Sequence, residues 1–309
     1  MSSEIEQLVV RISGDAKALQ KALKGAEKDV KNFAQKAGAS MQKVGKGMQD
    51  VGKSMTKYIT APLAAIAGVG LHAFAVFEDN LTKATAIMKV STDELGRMKA
   101  AAIEVGNTTT ISSQAAAEAY YFLASAGLTA SETIEALPIV SNLAVAGNFD
   151  MATATDLVTD AQSALGLSVG TTAQKMKEMT RVSDVLTAAN IMANASIEQY
   201  AIALTSKAGA ALKGVNKDIE EGVAVLAVMA DQGVKAQLAG NALNRMLLML
   251  QQSAQRNKKA HEDLGFAVYD LDGNMRNMAD IVENLEVTLS GMSAEQKAAT
   301  MTEMGFAAE

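Results

Sequence analysis

The chain has no cysteine, no tryptophan and only two prolines in 309 residues. Without cysteine it can form neither disulfides nor thiolate metal sites, which excludes a small disulfide-stapled scaffold. Aromatic residues make up 4% of the chain and there are two histidines. A β-sandwich or barrel wants aromatic and β-branched residues on its pleated faces, so this composition argues against one. The scarcity of proline leaves long helices open. The apolar fraction, 49%, is mostly Ala, Leu, Val, Ile and Met, residues that favour helices and, for Ala, close helix contact. The expected fold class is all-α.

One further absence organises the chain. Residues 100–174 contain no Lys or Arg, in a protein with 28 of them. That run holds seven acids: Glu104, Glu118, Glu132, Glu135, Asp150, Asp156 and Asp160. The net charge of −6 is also unevenly spread. Residues 1–57 carry 11 basic and 6 acidic side chains, a balance of +5; the remainder carries 17 and 28, a balance of −11. A basic arm precedes an acidic body.

Residues 5–12 suit a short strand, and Asp15 caps a helix. From there Leu19, Leu23, Ala26, Val30, Phe33, Ala37, Met41, Val44, Met48, Val51 and Met55 follow steps of three and four, with one stutter between Ala37 and Met41. This is a heptad seam flanked by lysines. It fits either an amphipathic helix packed on its own domain or an oligomeric coiled-coil arm. Gly25, Gly38, Gly45, Gly47 and Gly52 each weaken such a helix by up to about 1 kcal/mol relative to Ala, so the arm needs a partner.

Residues 59–77 carry no formal charge and approach the length of a membrane span. Pro62, two glycines and His72 interrupt them, and Glu78–Asp79 follows directly. A buried or oligomer-packed helix is expected, with a constitutive transmembrane helix and a segment that meets a membrane only at a late stage as the rivals. His72 is expected to be a packed histidine.

Clear punctuation then divides the chain into helices. Ser91 or Thr92 opens one that Gly106 should close; Ser112 or Ser113 opens the next. Gly127 supplies a left-handed turn after it. Thr129 and Glu132 form a capping box for a helix to Ala146, in which Pro138 should introduce a kink. Asp150 caps the next helix, closed by Gly166 and Gly170; Thr171 opens 172–192. Ser196 and Gln199 cap 197–212, Gly214 and Asn216 precede 217–231, and Gly233 precedes 235–257. Near 266–276 the order Tyr269, Asp272, Gly273 predicts a small β-hairpin. A calcium loop there would need Val268 and Ala279 as ligands, which neither can be. Helices at 278–290 and 294–304 complete the pattern. The expected divisions are 1–57, 58–90, 91–258 and 259–309.

No phosphate-binding glycine loop after a strand, no metalloprotease helix and no Cys/His cluster occurs. No catalytic residue, metal site or cofactor is expected. Specific nucleic-acid binding is not expected either: the body is acidic, and up to position 57 the arm has one aromatic, Phe33, for stacking.

Several segments carry a family resemblance. They are MKAAAIEVGNTTTISSQAAAEAYYFLASAGLTASETIEALPIVSNLAVAG (98–147), DLVTDAQSALGL (156–167), VSDVLTAANIMANASIEQYAIAL (182–204) and VLAVMADQGVKAQLAGNALNRMLLML (225–250). In order and spacing, over about 170 residues from Phe77–Glu78, the chain resembles the core region of tail tape measure proteins of long-tailed bacteriophages and prophages. One departure is TSKAGAALKG (205–214), where the family usually has a proline ahead of the small residues.

The resemblance implies a structural virion protein that sets tail length during assembly and leaves the tail tube at DNA ejection. A membrane-active helical protein that helps penetrate the host envelope is the alternative. Implied partners are other copies, as a trimer or hexamer, the tail tube, the tail assembly chaperone and the tail tip proteins. The implied places are the virion tail lumen and, during assembly, the host cytoplasm. At 1.5 Å of rise per residue, a tail on the order of 1,000 Å would need roughly 700 helical residues. The chain is therefore expected to be an N-terminal piece of a longer ruler.

Overall fold

The computed structural model describes residues 69–306. The strand expected at 5–12, the seam from Leu19 to Met55 and residues 59–68 lie outside the described residues. Among the described residues the protein is all-helical. They fall into two compact units, 69–187 with 196–201, and 188–195 with 202–306.

In the first unit, α1 (Val69–Ile87), α2 (Thr92–Thr108), α4 (Ala130–Gly147) and α5 (Met151–Ala164) all pack on α3 (Ser113–Ser125). Alanine explains that central place. α3 buries Ala116, Ala117, Ala119 and Ala124 with Tyr120 and Leu123, and small side chains let neighbouring backbones approach closely. α1 offers Phe77, Leu81 and Ala84, and Met88, just past its end, continues the same stripe. Leu81, Leu123, Leu137 and Leu143 are fully buried, each contributing about 2 kcal/mol through loss of apolar contact with water. The opening segment of α6 (Thr172–Met192) also belongs to this unit.

Local capping forms these ends. Ser112 Oγ accepts from the Ala115 N–H at 3.2 Å, and Asp150 accepts from the Thr153 N–H at 2.7 Å. The Thr129–Glu132 box closes in both directions. Gly127 takes φ +88° at its turn, a conformation that a side chain would strain. Gly166 has φ +70°. Pro138 lies inside α4; having no N–H, it leaves the Ile134 carbonyl without its helical donor.

Gly106 departs from expectation. The helix runs two residues past it, to Thr108. A Cβ at Gly106 would collide with the backbone and hydroxyl of Ser113. This glycine permits the close approach of the α3 start rather than ending α2.

In the second unit, the helix expected over 197–212 is built in three pieces: α7 (Ile197–Ala203), whose opening residues belong to the first unit, a π-turn over Leu204–Ala208, and α8 (Gly209–Gly214). The π-turn occupies the start of the 205–214 departure. α10 (Ala236–Arg256) packs on it and on α8, α9 (Ile219–Asp231) and α11 (Lys258–Leu264). Ala224 of α9 packs with Ala279 of α12 (Met278–Leu289), beside Val225 and Val228. Gly233 precedes α10 with φ +84°. α13 (Ala294–Glu303) begins at a Ser293–Gln296 capping box.

The stretch expected as a β-hairpin forms one antiparallel bridge, Tyr269 with Met275, and no ladder. Gly273 turns at φ +81°. Asp270 Oδ1 accepts from the N–H groups of Asp272 and Asn274 at 3.0 and 2.8 Å. Those side-chain bonds hold the turn, so longer strand pairing is not needed.

Candidate functional site

The polar groups inside the helices act as ties between distant segments. Glu132 shows the pattern in the first unit. Its Oε2 accepts from the N–H and hydroxyl of Thr129 at 2.9 and 3.0 Å. Its Oε1 meets Lys175 Nζ, 43 residues along the chain, at 2.9 Å. Burial raises the carboxyl, but the Thr129 and Lys175 bonds outweigh it and hold Glu132 below the usual carboxylate range. The capping box was legible as a local spacing; its ion pair was not.

Two more groups in that unit are buried. Tyr120 donates its hydroxyl to the Met98 carbonyl at 2.9 Å, tying α3 to α2, and burial pushes its ionisation far up. Asp184 of α6 is 5% exposed, and burial lifts its carboxyl to about 7. No sequence motif singles it out: Asp184 sits in the run from Val182 to Leu186, which is buried on every side of the helix.

In the second unit, Ser253, His261 and the Met304 carbonyl meet in the interior. His261 Nε2 stands 2.7 Å from Ser253 Oγ and 3.3 Å from the Met304 carbonyl oxygen. Ser253 donates its one hydroxyl proton to that carbonyl. Nε2 must then carry the imidazole proton and donate it to Ser253 Oγ. A hydrolytic pair needs the reverse, a bare ring nitrogen taking the serine proton. Phe266 stands edge-on to His261, with ring centroids 5.0 Å apart, and Phe306 completes the aromatic cluster. Burial lowers the His261 pKa, and the Met304 bond partly offsets this. The group ties the end of α13 to α10 and α11.

Among the described residues no three His, Asp or Glu side chains are placed to hold a metal ion. No described helix is long and apolar enough to cross a membrane. The part of 59–77 that is described begins α1, which continues into Glu78 and Asp79. The structure places Gly127, Gly166, Gly233 and Gly273 at separate turns and Pro138 inside α4, and does not bring them together.

Small-residue helix contacts and polar ties thus run through both units, and residues 99–305, most of the same stretch, match the family model described as phage-related minor tail protein. The chain belongs to that family. The tape measure protein of Pneumococcus phage Dp-1 is 29% identical over 243 residues, covering 79% of this chain and 20% of the phage protein. A probable tape measure protein of Escherichia phage P2 is 26% identical over 232 residues, covering 74% and 27%. The aligned region thus spans about a fifth to a quarter of these relatives' lengths. No solved structure matches the chain.

Proposed function

We propose that the chain is part of a tape measure protein: a structural component of a phage tail that sets tail length during assembly and leaves the tube when DNA is ejected. The observation that carries this reading is the family match over 99–305, together with a relative named as a tape measure protein over 79% of the chain. In this proposal residues 1–57 form a helical arm, 58–90 an apolar connection, 91–258 the core and 259–309 a terminal unit. The Leu19–Met55 seam serves assembly with other copies, and the tail tube, chaperone and tip are the further partners. The protein works by packing, in the tail lumen after assembly in the host cytoplasm.

The test is a set of in-frame deletions in the phage gene, with tails measured by electron microscopy. Removing two heptads from the arm shortens the tail by about 21 Å if the arm lies extended as helix. Deleting a helix within 98–250 abolishes tails, because it opens a packed unit. Tails of unchanged length after arm deletions overturn the ruler role of that segment. Vesicle flotation of the chain with and without 59–77 tests the membrane-active alternative.

A further inference from the structure

Helices α4 and α10, one in each unit, both leave a long stripe uncovered among the described residues. α10 buries Ala239, Gly240, Leu243, Leu247, Leu250 and Ser253. Its opposite side carries Leu238, Asn241, Arg245, Leu248 and Gln252, at steps of three, four, three and four. Arg245 and Gln252 are exposed, Leu238 is 64% and Leu248 45% exposed, and Asn241 is half-buried. α10 has no Asp or Glu along its 21 residues and ends on Arg256. Among the described residues neither arginine has an acidic partner.

The stripe on α4 has the same spacing and the opposite charge. Ser131, Glu135, Pro138, Asn142 and Val145 follow steps of four, three, four and three. Like the α10 stripe, they fall within about 80° of the helix circumference. Glu135 and Asn142 are exposed, Val145 is 45% exposed, and Ser131 and Pro138 are half-buried. Since residues 100–174 have no Lys or Arg, the α3–α5 segment contributes no cation, and α5, packed on α4, adds exposed Asp156 and Asp160. Glu135 has no ion pair among the described residues. Beside it, Pro138 leaves the Ile134 carbonyl as a free acceptor.

We propose that α10 of one copy docks lengthwise on α4 of a second copy, the two helices parallel, with Arg245 on Glu135 and the Ile134 carbonyl, Leu248 on Pro138 and Gln252 on Asn142. One register makes all these pairs and also sets Asn241 against Ser131, because the steps of the two stripes coincide from there. A guanidinium has donors enough for the carboxylate and the carbonyl together. Arg256 comes to the carbonyl end of α4, beside Val145, where a cation is favoured. The antiparallel register sets Leu248 against Glu135 and Arg245 against Pro138, and so loses the charge match. Both stripes stand uncovered in the same chain, so each is covered by another molecule, and every copy offers both. Joining two different surfaces, the contact repeats from copy to copy. A single helix pair buries less than the about 1,200 Å² of a standard interface, so it is weak alone and gains from copies already held together. This contact does not depend on the tail role.

The chain has no cysteine, so single cysteines can mark the contact. Whole-chain Asn142→Cys is mixed with whole-chain Gln252→Cys or Asn241→Cys at high micromolar concentration and oxidised briefly with copper phenanthroline. Mass spectrometry then counts the mixed disulfides. Positions 142 and 252 face each other within the about 4.4–6.8 Å between Cα atoms that a disulfide needs, whereas position 241 lies about 16 Å away along α10. The 142–252 link is expected to form about tenfold faster than 142–241. Glu135→Arg in the Asn142→Cys chain slows it about tenfold, and Arg245→Glu in the other chain restores it. Glu135→Gln, which adds neither bulk nor charge, slows it about threefold. Circular dichroism stays unchanged in every variant. Equal rates for the two pairs, a preference for 142–241, or a 142–252 link indifferent to both Glu135 substitutions overturns the proposal.

Discussion

The backbone of Gly240 in α10 lies directly against the carbonyl oxygen of Ala203, at the entrance to the π-turn, with the Ser206 hydroxyl beside it. A Cβ there would meet backbone, which cannot rotate away. Gly240→Ala is expected to destabilise the protein by about 1–3 kcal/mol through overpacking. Gly96 is the control: it is exposed in α2 and a Cβ there meets nothing within 4 Å. Gly96→Ala should stabilise by about 0.5–1 kcal/mol. Urea melts of both variants give the comparison.

The Glu132 latch sets an acid-side dependence. Burial works against its ionised form, but the Thr129 and Lys175 bonds win and hold the folded-state pKa below the ordinary 4.5. Its contribution is therefore present above that value and is lost as pH falls through the lower folded-state pKa. Glu132→Gln should weaken the protein near neutral pH by about 1–3 kcal/mol. The gap to wild type should close towards pH 3 in urea titrations.

Asp184 runs the other way. Burial raises its folded-state pKa from 3.8 to about 7, so the protonated form suits the fold. The stability tied to that proton is full below about 4 and is lost as pH rises towards 7. Asp184→Asn is expected to flatten this slope and to match or exceed the wild type above pH 7, by on the order of 2 kcal/mol. Denaturant midpoints from pH 4 to 8 check it.

Ser253→Ala removes the donor to the Met304 carbonyl and an acceptor for the His261 N–H. A loss of about 1–3 kcal/mol is expected, with faster hydrogen exchange at the end of α13. In the wild type, burial keeps His261 neutral below the usual imidazole range. Its contribution is present above about 6.5 and is lost as pH falls through the lower folded-state value. The 15N shifts of the ring should report a proton on Nε2 at neutral pH.

Ser112, Thr129 and Asp150 were legible as helix starts because a cap acts over three residues, and the spacing is visible in the chain itself. Gly127 and Gly233 were legible for a related reason, since a positive φ is a local demand. Glu132 was half legible: its capping bonds are local, while Lys175 lies 43 residues away. The departure at 205–214 marked the place of the π-turn without revealing the extra residue in its turn. Ser253, His261 and Met304 carried no signal, because three unremarkable residues become a group only when three helices meet.

The sequence by itself determined the all-α class, most helix boundaries and the uneven distribution of charge, all properties of residues and short spacings. Only the tertiary structure decided what the small residues are for. Gly106 reads as a helix end in one dimension and Gly240 lies unmarked inside a helix, yet each sits where a second backbone passes too close for a side chain. It also decided which polar groups are buried, because burial depends on the neighbours that packing brings from elsewhere in the chain. The alanine faces of α3 were visible as composition; that four helices share them was settled by packing.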